Sequence, residues 1–296
     1  MKCLVTGGAG FIGSNLVDKL IDLNHQVVVI DNESAEQNES FYWNKDASNY
    51  KYDICDYNKI DSLFKGIDCV FHLAAQSRIQ PSIIDPEKTF KVNCNGTLNV
   101  LKASVKNGIS KFIYSSTSSY YGLKNEIPFN EDMDRDCLNP YSYTKIFGED
   151  LCKMYSKLYK LNVIIFRYFN VYGPRQPVKG EYAPVVGIFQ KQWNAGEKIT
   201  VIGDGMQTRD YTHVDDVVSA NLLAMDKPIN ILEILNVGTG KKYSVLDLAK
   251  LIGGEIKFLP KRLGEARDTQ ADISKITKVL KWRPTIDLND WIGDNQ

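Results

Sequence analysis

Long apolar runs are missing from this 296-residue chain, and so is any excess of charge. No stretch approaches the ~20 apolar residues that a membrane-crossing helix needs, and the N-terminus, "MKCLVTGGAG", enters a strand with no signal-peptide core ahead of it. Lys plus Arg balances Asp plus Glu at 36 each, so no general attraction to nucleic acid or to an anionic membrane is expected, and the partner is expected to be small. Histidine is scarce: three in all (His25, His72, His213), none at metal-ligand spacing. No metal site is expected, and His72 reads as a hydrogen-bonded structural residue. The six cysteines form no CxxC pair, and Cys3 and Cys69 sit in apolar runs. They read as free thiols of a reducing compartment, and the chain as a soluble cytoplasmic protein. Internal repeats, low-complexity tracts and a flexible interdomain linker are also lacking.

What is present alternates. "KCLVTGG", "HQVVVID", "NYKYDI", "DCVFHLAA", "KFIYSSTS" and "NVIIFRYFN" each fit a short buried strand, and helix-patterned segments lie between them at 12–23, 57–65, 86–107 and 141–160. That rhythm predicts an α/β fold of the Rossmann type, a doubly wound parallel sheet with ligands outside the carboxyl ends of its strands. After Asn170 the rhythm breaks into the Gly- and Pro-rich "VYGPRQPVKGEYAPVV", then a helix, "VVGIFQKQWNAG", and a strand, "KITVIGDG". "VDDVVSANLLAM" and "EILNVG" read as a helix and strand returning to the first sheet. The expected division is a dinucleotide-binding domain over 1–170 with a return segment at about 212–238, and a smaller, interleaved substrate domain over 171–211 and 239–296.

"VTGGAGFIGSNL" places Gly7, Gly10 and Gly13 directly after a strand and at the opening of a helix. Glycines there permit a tight turn, close backbone approach to a pyrophosphate and close helix packing, while the helix start offers free amides and a positive dipole end. The next strand ends in Asp31, whose carboxylate can accept from both ribose hydroxyls and would repel a 2′-phosphate, so the expected cofactor is NAD rather than NADP. "YDICDY" sets Asp53 and Ile54 where an adenine edge can lie, and Ala74 and Ala75 in "HLAAQS" are small enough for a cofactor to rest on the backbone, although ordinary close packing accounts for them equally well.

Taken in order, "TGGAGFIGS", Asp31, "DI", "HLAAQ", "NCNGT", "SSTSSYYG", "PYSYTK", "RYFNVYGPRQ", "GDGMQTRDYTHVDD" and "GEARDTQAD" resemble the extended short-chain dehydrogenase/reductase superfamily, and within it the nucleotide-sugar epimerases. The resemblance spans nearly the whole chain. It implies that Tyr141 removes a sugar hydroxyl proton, that Thr117 hydrogen-bonds the same hydroxyl, and that Lys145 holds the nicotinamide ribose. One helical turn sets Lys145 beside Tyr141, where an ammonium would lower the tyrosine's pKa. Tyr143 has no lysine four residues on and reads as packing or a substrate contact. At the cofactor the resemblance also places Phe11, Ile12, Asn32, Leu73, Gln76, Asn93, Ser115 and Tyr168.

Related dehydratases and decarboxylases carry acids directly after the threonine, whereas Ser118 and Ser119 stand there in this chain, which favours simple 4-epimerisation. The resemblance assigns Arg209 and Arg267 to the substrate diphosphate, Asn170 to its phosphate and sugar side, and Ala183 and Val185 in "EYAPVVGIF" with Thr200 and Val201 in "ITVIGDG" to the base. Thr269 falls at the pocket gatekeeper. Its small size implies room for a 2-N-acetyl group, hence UDP-GlcNAc and UDP-GalNAc alongside UDP-glucose and UDP-galactose. "SRIQPS" departs from the commoner loop in setting Ser77, Arg78 and Gln80 near the sugar, and an arginine there keeps a UDP-glucuronate 4-epimerase open. The same scaffold also carries nucleotide-sugar reductases or oxidases, and non-catalytic NAD-binding regulators. Helices 86–107 and 141–160 are those through which relatives pair, so a homodimer is expected. The tail, "TIDLNDWIGDNQ", is shorter than the family pattern and points to a missing final helix.

Overall fold

The computed structural model describes residues 1–295 apart from 37, 181 and 229–231. Seven strands, β1 (Lys2–Thr6), β2 (Gln26–Asp31), β3 (Ser48–Lys51), β4 (Cys69–His72), β5 (Lys111–Thr117), β6 (Asn162–Tyr168) and β7 (Leu232–Val237), form one sheet in the order β7-β6-β5-β4-β1-β2-β3. Every pairing in it is parallel. The order reverses between β1 and β4, which opens a crevice beyond their carboxyl ends.

The near-continuous apolar runs are explained by burial on both faces. Leu4 and Val5 are neighbours in β1 yet join different cores: Val5 packs with Leu16, Phe71 and Val217, and Leu4 with Ile30, Val70 and Phe112. The expected helices appear as α1 (Phe11–Asp22), α2 (Thr97–Lys106), α3 (Pro140–Tyr159), α4 (Val185–Asn194) and α5 (Val214–Asp226). Helix α2 is the end of one helical run from Pro86 that passes through a π-helical stretch, Lys91–Gly96. Short helical segments the sequence reading left as loop or tail, Ile79–Ile84 and Ser274–Leu280, join them.

Strand β3 stops at Lys51, short of the expected "DI", because Asp53 turns the chain by accepting from the Cys55 amide (2.8 Å). A third core, built on Val186, Phe189, Val201 and Leu248, lies beyond the carboxyl edge of the sheet. There Ile199–Ile202 pairs in parallel with Ile256–Leu259. Leu288 and Ile292 of a closing helix, Leu288–Asp294, complete this core, so the tail does not lack a helix.

Candidate active site

The crevice is a cavity of about 830 Å³ that runs from Asp31 past Tyr141 to Arg209 and Thr269. Its dinucleotide end is built from backbone. Gly7 takes φ +71°, and a side chain there would lie 2.8 Å from the Ala74 nitrogen; one at Gly13 would meet the Gly7 carbonyl at 2.1 Å. Asp31 is buried and held by two amides, Ala9 (3.1 Å) and Glu33 (2.8 Å). Burial pushes its carboxyl up from the usual range, and the amides pull it back. A glycine turn that side chains would fill, with a fixed carboxylate at the end of β2, fits the dinucleotide expected of the sequence.

His72 is structural, as expected: Nδ1 pairs with Thr6 Oγ1 (2.7 Å) and Nε2 with Thr97 Oγ1 (2.9 Å). Burial brings its pKa down to about 3, so the ring is neutral. Thr6 Oγ1 in turn accepts from the Ala74 amide (3.3 Å), which ties the cavity floor to β1. Gly7, Gly10, Phe11, Ile12, Gly13, Asp31, Asn32, Ile54, Leu73, Ala74, Ala75, Ser115 and Tyr168 all line the cavity, whereas Asp53, Gln76 and Asn93 do not. Asn93 lies behind the wall: Oδ1 accepts from the Gln76 amide (2.8 Å), and Nδ2 donates to the Gln76 carbonyl (3.0 Å) and to Thr144 Oγ1 (2.9 Å). It clamps the loop rather than facing a ligand.

The reacting end is set by the start of α3. Asn139 caps it, its side chain accepting from the Ser142 amide (2.9 Å) while Ser142 Oγ accepts from the Asn139 amide (3.3 Å), and Pro140 opens the first turn. This sets Tyr141 at the same end of the cavity as Thr117, the last residue of β5. Lys145 lies below, buried, its Nζ 4.4 Å from the centre of the Tyr114 ring. Burial lowers its pKa to about 8. Burial raises that of Tyr141, opposed by the Thr117 hydrogen bond and then by the charge of Arg78. Arg78, which lines the same end of the cavity, thus adds a cation to the one, Lys145, that the sequence reading names. Ser77, Arg78 and Ser118 line the same end.

At the far end Asn170, Ala183, Val185, Thr200, Arg209 and Thr269 line the wall, and Glu181 of the "EYAPVVGIF" segment lies outside the described residues. Asn170 Nδ2 donates to the Asp210 carbonyl (3.0 Å) and to Thr269 Oγ1 (3.2 Å). Val201 points into the third core, and Arg267 lies off the cavity, its guanidinium forked onto Asp204 (2.9 and 3.2 Å). Neither arginine pairs with its neighbouring aspartate. Asp210 turns inward to Thr239, Gly240 and Ala271, while Asp268 accepts from Thr208 Oγ1 (2.6 Å). Arg209 donates to the carbonyls of Thr208 (2.9 Å) and Arg267 (3.1 Å), with the Glu265 carboxylate 3.7 Å away.

Sequence reasoning missed Gln207, Arg262 and Glu265, which also line the cavity. "KRL", directly ahead of "GEARDTQAD", was the available signal for Arg262. This loop closes on the Tyr141 side through Gln80, donating to the Leu263 carbonyl (2.9 Å), and Asn139, donating to that of Gly264 (2.8 Å).

A doubly wound sheet with a glycine cradle at its switch point and a Thr/Tyr/Lys cluster beside it defines a dinucleotide-binding α/β protein equipped for chemistry on hydroxyl groups. The chain belongs to the NAD-dependent epimerase/dehydratase family, whose model matches residues 3–238. Among solved structures it is similar to the UDP-glucose 4-epimerase of Thermotoga maritima with UDP-glucose, at 39% identity and TM-score 0.93, covering 99% of this chain and 96% of that one. It is also similar to the UDP-N-acetylglucosamine 4-epimerase of Methanobrevibacter ruminantium in complex with UDP-N-acetylmuramic acid (31%, 0.90, covering 100% and 99%). A third likeness is to the UDP-glucuronic acid 4-epimerase of Bacillus cereus with UDP-glucuronic acid and NAD (34%, 0.88, covering 99% and 97%). No helix among the described residues is long and apolar enough to cross a membrane.

Proposed function

We propose that this protein is a UDP-sugar 4-epimerase that retains NAD and inverts the C4 hydroxyl of UDP-GlcNAc/UDP-GalNAc, and of UDP-glucose/UDP-galactose. The observation that carries the reading is the convergence of Thr117, Tyr141 and Lys145 on one end of the cavity, with Lys145 one helical turn beyond the tyrosine and Ser118, not an acid, next to the threonine. NAD, when bound, supplies the acceptor and donor of the C4 hydride. The glycine turn and Asp31 hold its dinucleotide, and Lys145 its nicotinamide ribose.

Thr117 orients the substrate's O4 toward Tyr141. The Tyr141 oxygen takes the O4 proton as the C4 carbonyl forms and gives it back when the opposite face has been reduced, so the tyrosine ends each cycle as it began. Arg209, with Asn170, retains the diphosphate while the sugar turns over. Relatives named for glucose, N-acetylglucosamine and glucuronic acid support the reaction class and leave the sugar to the pocket. Thr269, small and already bonded to Asn170, supports room at C2.

The domain division follows the same logic: residues 1–170 with the return near 212–238 hold the cofactor, and 171–211 with 239–296 hold the nucleotide sugar. A cytoplasmic homodimer is part of the reading. Its support is an exposed apolar face on the two expected helices, Phe90 and Leu98 beside Tyr143, Phe147 and Leu158. The test is to incubate the purified protein with UDP-GlcNAc, UDP-glucose and UDP-glucuronate in turn, without added cofactor, and follow C4 epimers by NMR. Epimer from a neutral hexose supports the proposal; epimer from UDP-glucuronate alone moves the substrate to the acid; none from any, with NAD supplied, sinks it.

A further inference from the structure

Arg78 is the unexplained charge of the cavity. It precedes the Ile79–Ile84 segment with extended backbone (φ −125°, ψ 140°), lines the reacting end, and has a buried Nε without a hydrogen-bond partner. Among the described residues no carboxylate pairs with it. A guanidinium stays charged under ordinary conditions, and a buried Nε–H without an acceptor is costly, so its place calls for a negatively charged acceptor that appears during function.

Its segment is bound to the tyrosine itself. Ser82 Oγ accepts from the Tyr141 amide (3.0 Å) and donates back to the Ile79 carbonyl (2.6 Å), while Gln80 fixes the same turn to the Leu263 carbonyl (2.9 Å). Arg78 thus stands on a strut whose other end is Tyr141. The groups that bear on this tyrosine are Thr117 and Tyr114 of β5 and Arg78 of the strut, and Lys145 stands one turn further along its own helix. Tyr114 is buried and its pKa is pushed well above the ordinary range, so it carries no charge. Lys145 is engaged elsewhere, over the Tyr114 ring and within the influence of Cys152, Glu149 and Cys94.

We propose that Arg78 is a positioning residue of this site: its guanidinium stabilises the oxyanion that Tyr141 carries while it has no proton. This rests on the reading of Tyr141 as the base. It gives the chain a second cation for a task expected of Lys145 alone, and it explains why the charge sits on a helix pinned to the tyrosine's own backbone.

The test labels tyrosine Cζ with carbon-13 in the intact protein with NAD present and assigns the Tyr141 signal, one of 16, as the one lost in Tyr141→Phe. Its signal is followed from about pH 6 to pH 10 in the wild type, Arg78→Gln and Arg78→Lys. The expected result is a ratio of phenolate to phenol at least about tenfold lower at each pH in Arg78→Gln, recovered in large part by Arg78→Lys, with the acid limb of kcat/KM moving the same way. Arg78→Lys keeps the charge and serves as the reference if the glutamine variant folds poorly, in which case Arg78→Met replaces it. An unchanged Tyr141 signal in the uncharged variant overturns the proposal. So does a loss confined to KM for UDP-glucuronate, which would make Arg78 a reader of substrate acid. The NMR readout needs no turnover, so failure of the epimerase reading and failure of this one remain separate results.

Discussion

The two ends of the cavity are held by different kinds of structure. At the dinucleotide end the shape comes from backbone: Gly7 in a left-handed turn, Gly13 against the Gly7 carbonyl, and Asp31 fixed by two amides. At the nucleotide-sugar end it comes from side chains that are already occupied. Arg209 rests on carbonyls with Glu265 nearby, and Thr269 takes the side-chain amide of Asn170. The first end is preorganised, and on the proposed reading the second exchanges internal partners for the substrate. Tyr141 stands between them, fixed at its backbone by a cap and a strut, with Thr117 at the same end of the cavity.

The sharpest way to break this comparison is at its middle. Tyr141→Phe is expected to lower turnover by about a thousandfold while NAD and UDP-sugar still bind, measured by epimer NMR and by calorimetry; retained turnover would remove the base. Next, Gly13→Ala drives a methyl into the Gly7 carbonyl, 2.1 Å from where it would sit. It is expected to cost about 3 kcal/mol in chemical denaturation and to leave the protein without NAD. If the cradle tolerates it, the dinucleotide end is not set by backbone.

The sugar end separates its two arginines. Arg209→Ala is expected to raise KM by at least about tenfold, whereas Arg267→Ala, which removes an exposed pair with Asp204, is expected to change it less than about twofold. Equal losses in steady-state kinetics would mean that Arg267 swings into the cavity. The smallest effect concerns the floor of the cradle. His72 has a pKa near 3 in the fold against 6.5 for an ordinary histidine, so between those values the unfolded chain takes up a proton that the folded one refuses. Stability is lost as pH falls through that window. His72→Gln should lose less between pH 7 and about 4.5, read as urea midpoints.

The strands were legible because a sheet buried on both faces demands runs such as "QVVVID", and the cradle because only glycines and a strand-end carboxylate make one. The small domain was legible as far as its helix and strand, and less so in its side chains. Thr200 and Val201 were both assigned to the base, although neighbours in a strand face opposite ways, and only Thr200 reaches the cavity while Val201 is core. Arg267 shares its motif with true wall residues, yet its direction is decided by Asp204, far off in sequence. The partners that place Arg78 and Gln80 are equally distant: Ser82 holds Tyr141, and Gln80 holds Leu263. No local pattern carries contacts of that range.

The closing loop at Leu263 and Gly264, bound across the cavity to Gln80 and Asn139, ties a late part of the chain to early ones. The glycine cradle, Asp31 and Tyr141 all emerge before residue 170, but Arg209 and Thr269 follow much later in synthesis. Between them come α5 and β7, which share one core with Val5 and Leu16, so the wall behind the glycine cradle closes only once residue 237 has been made. The cavity therefore has no finished wall until most of the chain has left the ribosome.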